Sequence, residues 1–312
     1  MSIAASLVVL RLSAAAVTGF VCLSCADYIE GGAWDGYEQT ALVLGKMRLD
    51  RTPDGMPVSN LALADNFRRI AFGVEPGVLT AEAEPVIAPA DSPPGRLRRW
   101  RRPVRWQITS LGKSAQGYVR AVQETTDRIA GATGHDIARS GPGEPANLAV
   151  LFLRPQDYAP AARALANQPA GDWLAQQVDR FGRATHTPCV GLFLHARRPA
   201  KMPSGTRVES DEILFGLALI RDGLPPRLAR ACVEEELAQA MGLPNDDPNV
   251  RPSVFNDDQE FALLTGHDEA LLRILYDPRL APGMTETEAM AIVPDIIADI
   301  DTDVIRGRRP QD

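Results

Sequence analysis

Apolar residues in the second half of the chain fall into short continuous runs of strand length. Residues 147–153 (NLAVLFL), 190–195 (VGLFLH) and 213–220 (ILFGLALI) are such runs. Aliphatic runs of about four to eight residues are typical of buried strands. Residues 104–108 predict a further strand. We therefore expect these segments to assemble into a sheet.

Apolar positions with helical spacing lie between and after these runs. Tyr118, Val122 and Ile129 share one face of a helix that Gly134 would cap. Residues 226–241 predict another helix, with a proline in its first turn. Further helical segments are predicted at residues 61–72, within 159–181, at 268–276 and at 286–300, the last interrupted near Pro294. This order of elements indicates an α+β domain with a mixed sheet.

The first 26 residues have the features of an export signal. Residues 12–23 are apolar and small (LSAAAVTGFVCL), and residues 24–26 fit a small-x-small cleavage site. The apolar stretch is too short to span a membrane, and a buried N-terminal helix is the alternative. We expect residues 1–26 to be a signal peptide and the protein to be periplasmic or envelope-associated. Cys25 is an alternative site of lipid attachment, which would be the protein's one link to a membrane.

The rest of the chain divides by composition into three segments. Residues 27–95 predict an N-terminal extension, which is exposed and glycine-rich over residues 27–46 and ends in a Pro/Ala-rich linker. Residues 96–302 contain the alternating strands and helices and predict the folded domain. Residues 303–312 predict a polar tail.

Composition narrows the classes of function. The 312 residues are 45% hydrophobic and 23% charged, which is ordinary for a globular protein. The net charge of −7 and the isoelectric point near 5.3 argue against a nucleic-acid partner. The basic segment 96–106 (RLRRWRRPVRW) therefore predicts the solvated edge of a strand rather than a nucleic-acid patch.

Two cysteines, Cys189 and Cys232, remain after removal of the predicted signal. An even pair in an exported chain predicts a disulfide, since that compartment is oxidising. Two buried free thiols are the alternative. A bridge would tie the predicted 226–241 helix to the strand at 190–195.

Residues 235–245 (EELAQAMGLPN) have the spacing of the zinc-peptidase helix H-E-x-x-H-x-x-G-x-x-H, with other residues in the ligand positions. Side chains four residues apart lie on one helix face, so Glu235 and Gln239 are predicted to converge. Glu236 lies beside them in the general-base position and is the candidate catalytic residue. Asn245 would return as the third ligand after a sharp turn.

The side chains in these positions are poor zinc ligands. Gln239 and Asn245 offer neutral amide oxygens, whereas zinc prefers imidazole, thiolate or carboxylate groups. Asp246 adds a carboxylate, but no segment has the spacing of a calcium loop. We therefore expect no cofactor. A divalent metal centred on Glu235, Gln239 and Glu236 is the alternative.

Residues 232–246 (CVEEELAQAMGLPND) form a distinctive block. Further motifs are RLDR at 48–51, NFRRIAF at 66–72, RW at 99–100, TGHDI at 133–137, SVFND at 253–257, LYDP at 275–278 and PGMT at 282–285. Together these motifs resemble the uncharacterised bacterial domain-of-unknown-function family 2927. Its members are often described as lipoproteins and have no established activity. The resemblance therefore implies export and supplies no substrate.

These observations predict a zincin-like (metzincin-like) α+β domain with a mixed sheet and a central E-E-x-x-Q helix. They favour non-catalytic binding in the cell envelope by a degenerate metallopeptidase-like cleft, with Glu235, Gln239, Asn245 and Asp246 as binding residues. The expected partner is a peptide, peptidoglycan or an envelope protein. Two alternatives stay open: an active metal-dependent hydrolase with atypical ligands, and a structural envelope protein without a functional cleft.

Overall fold

The computed structural model describes residues 24–53, 55–73, 81–82, 95–110, 115–167, 170–201, 207–256 and 259–300 of the 312-residue chain. Its helices are α1 Ser24–Val43, α2 Asn60–Phe72, α3 Ala115–Thr133, α4 Tyr158–Leu165, α5 Gly171–Arg183, α6 Pro226–Ala240, α7 Gly266–Tyr276, α8 Glu286–Met290 and α9 Val293–Asp299. Its strands are β1 Ala81–Glu82, β2 Val104–Ser110, β3 Ile137–Arg139, β4 Leu148–Leu153, β5 Cys189–Lys201 and β6 Arg207–Arg221.

The described strands form one mixed sheet in the order β1-β5-β6-β4-β2-β3. Strands β6, β4, β2 and β3 run parallel to one another, and Leu148 of β4 lies opposite both Gly216 and Trp106. Strand β5 runs antiparallel to β6, with Cys189 opposite Ile220. The two-residue strand β1 is parallel to β5. The β5–β6 pair therefore reverses the strand direction on one side of an otherwise parallel sheet.

Helices cover both faces of the sheet. Side chains alternate between the two faces along each strand, and apolar strand residues are buried on both of them. On one face, Val150 and Phe193 pack in a large core with residues of α2, α3, α6, α7 and α9. On the other face, Leu151 and Leu192 pack in a smaller core with α4 and α5. This burial on both faces explains why the strands are continuous apolar runs in the sequence.

Most of the predicted elements are confirmed, with shifted ends. The predicted strands correspond to β2, β4, β5 and β6, and the predicted helices correspond to α2 through α9. The predicted interruption near Pro294 separates α8 from α9. Strand β3 had no counterpart among the predictions, because three residues are too few to show a periodicity. A fold of helices and strands with one mixed sheet is confirmed.

The segment predicted as an exposed, glycine-rich lead-in, residues 27–46, contains a helix that the sequence pattern did not predict, although many of its side chains are exposed. Most of that segment belongs to α1, and Trp34, Glu38 and Ala41 are buried. These three residues have helical spacing, but one is charged and one is small. The buried face is therefore too weakly apolar to stand out in the sequence pattern.

Other predicted segments fall partly outside the described residues. Of the predicted signal peptide, only residues 24–26 are described, at the start of α1. Residues 74–80 and 83–94 of the predicted linker lie outside the described part of the chain, as do residues 301–312. Within the described part, no helix has both the length and the apolar character needed to cross a bilayer.

Candidate functional site

Helix α6 carries the predicted site, and two long-range contacts fix its position. Pro226 opens the helix, and the residue before it provides no side-chain cap. Glu38 of α1 instead accepts a hydrogen bond from the Leu228 amide at 2.8 Å, which also places a negative charge at the helix N-terminus. One turn later, Cys232 is joined to Cys189 of β5, with the Cα atoms 5.8 Å apart. The predicted disulfide is confirmed, and it ties α6 to the sheet.

Glu236 and Gln239 lie together under strand β5. The two residues are 4% and 3% exposed, and both face the backbone of Gly191. A Cβ atom at position 191 would lie 2.7 Å from Oε2 of Glu236 and 3.2 Å from Oε1 of Gln239. Glycine is therefore needed for so close an approach of strand and helix. The two side chains form a closed contact between α6 and the sheet.

The turn after α6 returns Asp246 to this pair. Gly242 has a φ of +112°, a conformation that favours glycine. A Cβ atom there would also overlap the carbonyl oxygen of Arg98. Beyond the turn, the side-chain amide of Gln239 donates to the two carboxylate oxygens of Asp246, at 3.2 and 3.3 Å. Asp246 therefore orients the Gln239 amide.

Asn245 makes its described contacts with helix α2. Its side-chain amide donates to the Arg69 carbonyl at 3.0 Å, and it lies directly against Gly73, the residue that ends α2. Two residues later, Asp247 accepts a hydrogen bond from the Arg69 guanidinium at 2.9 Å. Burial raises the pKa of Asp247, but the bond from Arg69 and other hydrogen bonds outweigh burial, and the pKa lies below its ordinary value. The segment after α6 thus holds α2 in position through hydrogen bonds from Asn245 and to Asp247.

Glu235 is half-buried on α6 and acts electrostatically on helix α1. Burial, and after it the negative charge of Glu235, raises the pKa of Tyr37 in α1. The Tyr37 hydroxyl donates to the side chain of Gln259 at 2.8 Å. Of the predicted site residues, Glu236 and Gln239 therefore lie under β5 and Asp246 contacts Gln239, while Glu235 lies towards α1 and Asn245 contacts α2.

The cluster of Glu236, Gln239 and Asp246 offers two carboxylates and one amide. This set fits zinc poorly, since it contains no imidazole or thiolate. Among the described residues, no group of three or more His, Cys, Asp or Glu side chains is arranged to hold a metal ion. Glu236 and Gln239 are also nearly inaccessible, so a substrate would reach them only if β5 moved. The geometry therefore favours packing over chemistry at this cluster.

An ion network on another side of α6 surrounds Glu234, a residue that the motif does not single out. The buried Glu234 carboxylate accepts two hydrogen bonds from Arg51, at 2.7 and 2.8 Å. Arg230 and the Leu264 amide each donate to it at 2.8 Å. Burial raises the pKa of Glu234, but Arg51 and the other donors outweigh burial and hold the pKa below its ordinary value. The i,i+4 spacing of Arg230 and Glu234 is the one local signal for this network.

An open groove lies beside this network, between α3, α6 and α7. Its volume is about 590 Å³. Within the network, Arg230 also donates to Glu124 at 2.6 Å, and Arg128 pairs with Glu269. We call this surface the charged groove. Its lining consists of Arg51, Glu124, Asp127, Arg128, Gly131, Ala132, Arg230, Glu269 and Arg273.

A protein-family model covers most of the structure just described. Its description is "Protein of unknown function (DUF2927)", and it matches residues 60–295, more than half of the chain. The match runs from the start of α2 into α9 and includes the whole of α6. No curated protein and no solved structure matches the chain. The chain therefore belongs to the DUF2927 family, whose function is unknown.

Proposed function

We propose that this protein is an exported, non-catalytic binding protein of the cell envelope, built on a zincin-like scaffold. The order of elements supports the scaffold: β5 and β6 form the antiparallel pair of a mixed sheet, and α6 follows and packs against both strands. Helix α6 carries the E-E-x-x-Q frame, which has the spacing of the zinc-peptidase helix.

One observation carries the non-catalytic part of the proposal: the Gln239 side chain is engaged from two sides. Its amide oxygen faces Gly191, and its amide nitrogen donates to Asp246. In a zinc peptidase the same position supplies a ligand to an open coordination site. Here the side chain joins the strand, the helix and the following turn, which is a structural role. Glu236, in the general-base position, is buried in the same contact.

The charged groove supports the binding part of the proposal. It is open to solvent, and its volume of about 590 Å³ is within the range of small-ligand pockets. The expected export signal at residues 1–26 supports an envelope partner, such as a peptide, peptidoglycan or an envelope protein. We thus assign ligand binding to the side of α6 that borders the charged groove, and a packing role to the side that lies under β5.

Metal analysis and peptidase assays test the non-catalytic role. The purified full chain, incubated with zinc and then desalted, is expected to retain no stoichiometric metal and to leave fluorogenic peptides uncut. Gln239→Ala should lower thermal stability, because it leaves Asp246 without its amide donor, and should change neither readout. Stoichiometric zinc, or hydrolysis that disappears in Glu236→Gln and with a chelator, would overturn the proposal in favour of the metal-dependent hydrolase.

Cell fractionation tests export. The full chain is expected outside the cytoplasm, and a variant that lacks residues 1–26 is expected inside it. Mass spectrometry of the mature N-terminus separates cleavage before Asp27 from a diacylglyceryl group on Cys25. Recovery of the full chain from the cytoplasm with an intact N-terminus would contradict export.

A further inference from the structure

We propose that the charged groove binds a short peptide by its two free ends, the terminal carboxylate at Arg273 and the terminal ammonium at Asp127. The inference rests on the proposed binding function, for which it names the ligand class. It uses none of the residues packed under β5.

Most of the arginines in the groove are already paired. Arg51 and Arg230 hold the Glu234 carboxylate, and Arg128 holds Glu269. Together with the Arg230–Glu124 pair, these ion pairs link α3, α6 and α7 and fix the walls of the groove. Because each of these cations has a carboxylate within the protein, they add little net attraction for a ligand.

Two charges of the groove have no ion-pair partner among the residues that the structure describes. Arg273, half-buried in the last turn of α7, forms no hydrogen bond or ion pair there. Asp127 of α3 accepts a hydrogen bond from the neutral amide of Gln123, at 2.7 Å. The two residues lie on different helices and do not pair with each other within the described contacts. The groove therefore presents one cation and one anion at separate points.

A ligand with a carboxylate at one end and an ammonium at the other complements this arrangement. The guanidinium group binds carboxylates in bidentate geometry, and an aspartate accepts hydrogen bonds from an ammonium group. A simple anion would satisfy Arg273 and be repelled by Asp127. A zwitterion satisfies both, so the charge pattern favours a short peptide over an inorganic anion.

Two small residues in the lining of the groove leave room for the peptide chain. Gly131 lies within helix α3, where glycine is less favourable than alanine. A Cβ atom at this position would meet no atom within 4 Å, so no described packing contact requires glycine. Its neighbour Ala132 is also small. These two residues leave the space between the charged walls open.

NMR titrations that observe the ligand, with the purified full chain, test the inference. The probes are tri-alanine, its C-terminal amide and its N-acetyl derivative. Tri-alanine is expected to bind, and each blocked probe is expected to bind about tenfold more weakly, since one charge-assisted contact is lost. Arg273→Ala should weaken tri-alanine about tenfold and abolish the difference between acid and amide. Asp127→Asn should abolish the difference between the free and the acetylated peptide.

Matched controls separate the groove from the general surface. Arg120→Ala on α3 and Asp172→Asn on α5 remove exposed charges outside the groove and should leave the affinity unchanged. Gly131→Leu should fill the groove and abolish binding. Its thermal unfolding temperature should be unchanged or higher, because leucine is the better helix former. Gly131→Leu changes no charged residue, so it still tests whether the peptide binds in the groove if the charge variants lose stability.

Several outcomes would overturn the inference. They are an absence of tri-alanine binding, binding that is unaffected by Arg273→Ala and Asp127→Asn, and binding that survives in folded Gly131→Leu. Binding of inorganic phosphate that depends on Arg273 and not on Asp127 would replace the peptide with a simple anion. None of these results changes the outcome of the metal and peptidase assays, so a failure here is distinct from a failure of the non-catalytic role.

Discussion

Two sides of helix α6 differ in how they use their polar residues. Under β5, Glu236 and Gln239 are almost fully buried against Gly191. On the side of the charged groove, Glu234 is buried as well, but its partner Arg230 extends into a groove that is open to solvent. On the first side, the backbone of β5 covers the polar side chains. On the second side, the ion network borders a groove that solvent can enter.

A familiar spacing of residues therefore does not by itself locate the accessible surface. Of the positions with zinc-peptidase spacing, Glu236 and Gln239 are covered by the sheet. The charged groove is lined by residues of three helices together with Arg51, and no single motif contains them. Buried amides and carboxylates need hydrogen-bond partners, so the closed side uses Asp246 and the turn for this purpose. The open side can keep charges that water or a ligand reaches.

The largest loss of stability is expected from opening the disulfide beside the closed contact. In the Cys189→Ala, Cys232→Ala double variant, a constraint across 43 residues of chain is removed. Chain-entropy arguments give a loss of about 4 kcal/mol in the free energy of unfolding. Urea unfolding without reductant measures it, and wild-type protein with reductant is the control. An unchanged unfolding midpoint would show that the closed side is stable without the bridge.

On the groove side, Glu234→Gln is expected to lower the free energy of unfolding by about 3 kcal/mol. The change leaves Arg51 and Arg230 without their shared carboxylate, and the partial exposure of both guanidinium groups limits the loss. Asp127→Asn in the same groove is the matched control, with an expected change below about 0.5 kcal/mol. Similar losses in the two variants, measured by urea unfolding, would contradict a specific role for Glu234.

The pH dependence of the same variant sharpens this result. The pKa of Glu234 lies below its ordinary value of 4.5 in the folded protein. Its ion pairs therefore stabilise the fold above pH 4.5, and this stability is lost as the pH falls through the lower, folded pKa. The stability difference between wild type and Glu234→Gln should be complete at neutral pH and shrink in acid. A difference that is constant across this range would argue against ion pairing.

A smaller loss is expected when the closed contact is forced apart. In Gly191→Ala, the new Cβ would meet Glu236 Oε2 at 2.7 Å and the Glu236 carbonyl oxygen at 3.0 Å. The side chain can shift but the helix backbone yields less, so we expect a loss of about 2 kcal/mol. Gly131→Ala is the matched control, since its Cβ meets nothing within 4 Å. Calorimetry should show that control unchanged or stabilised by up to about 1 kcal/mol.

The smallest change in stability is expected for Arg273→Ala. Arg273 has no partner among the described residues, so its removal should change the free energy of unfolding by less than about 0.5 kcal/mol. Its effect should appear in peptide affinity instead. A stability loss as large as that of Glu234→Gln would place Arg273 in the structural ion network. It would contradict the view that the groove side keeps a charge available to a ligand.

Local patterns in the sequence by themselves determined most elements of this fold. The apolar runs at 147–153 and 213–220 predict β4 and β6, because strands buried on both faces are apolar at every position. Pro226 and Gly134 mark helix ends through their backbone geometry. The disulfide was predictable as well, since two cysteines remain in a chain expected to be exported. All of these signals lie in the composition or within a few residues of one another.

Contacts between distant segments determine which side of α6 is closed and which is open. Gly191 reaches Glu236 from a different strand, and Arg51 reaches Glu234 across a separation of 183 residues. Helix α1 likewise contacts the core through few apolar residues, among them Trp34. The physical reason is common to these cases. Periodicity reports how a segment folds on itself, whereas a contact between distant segments depends on where the sheet and helices bring them together.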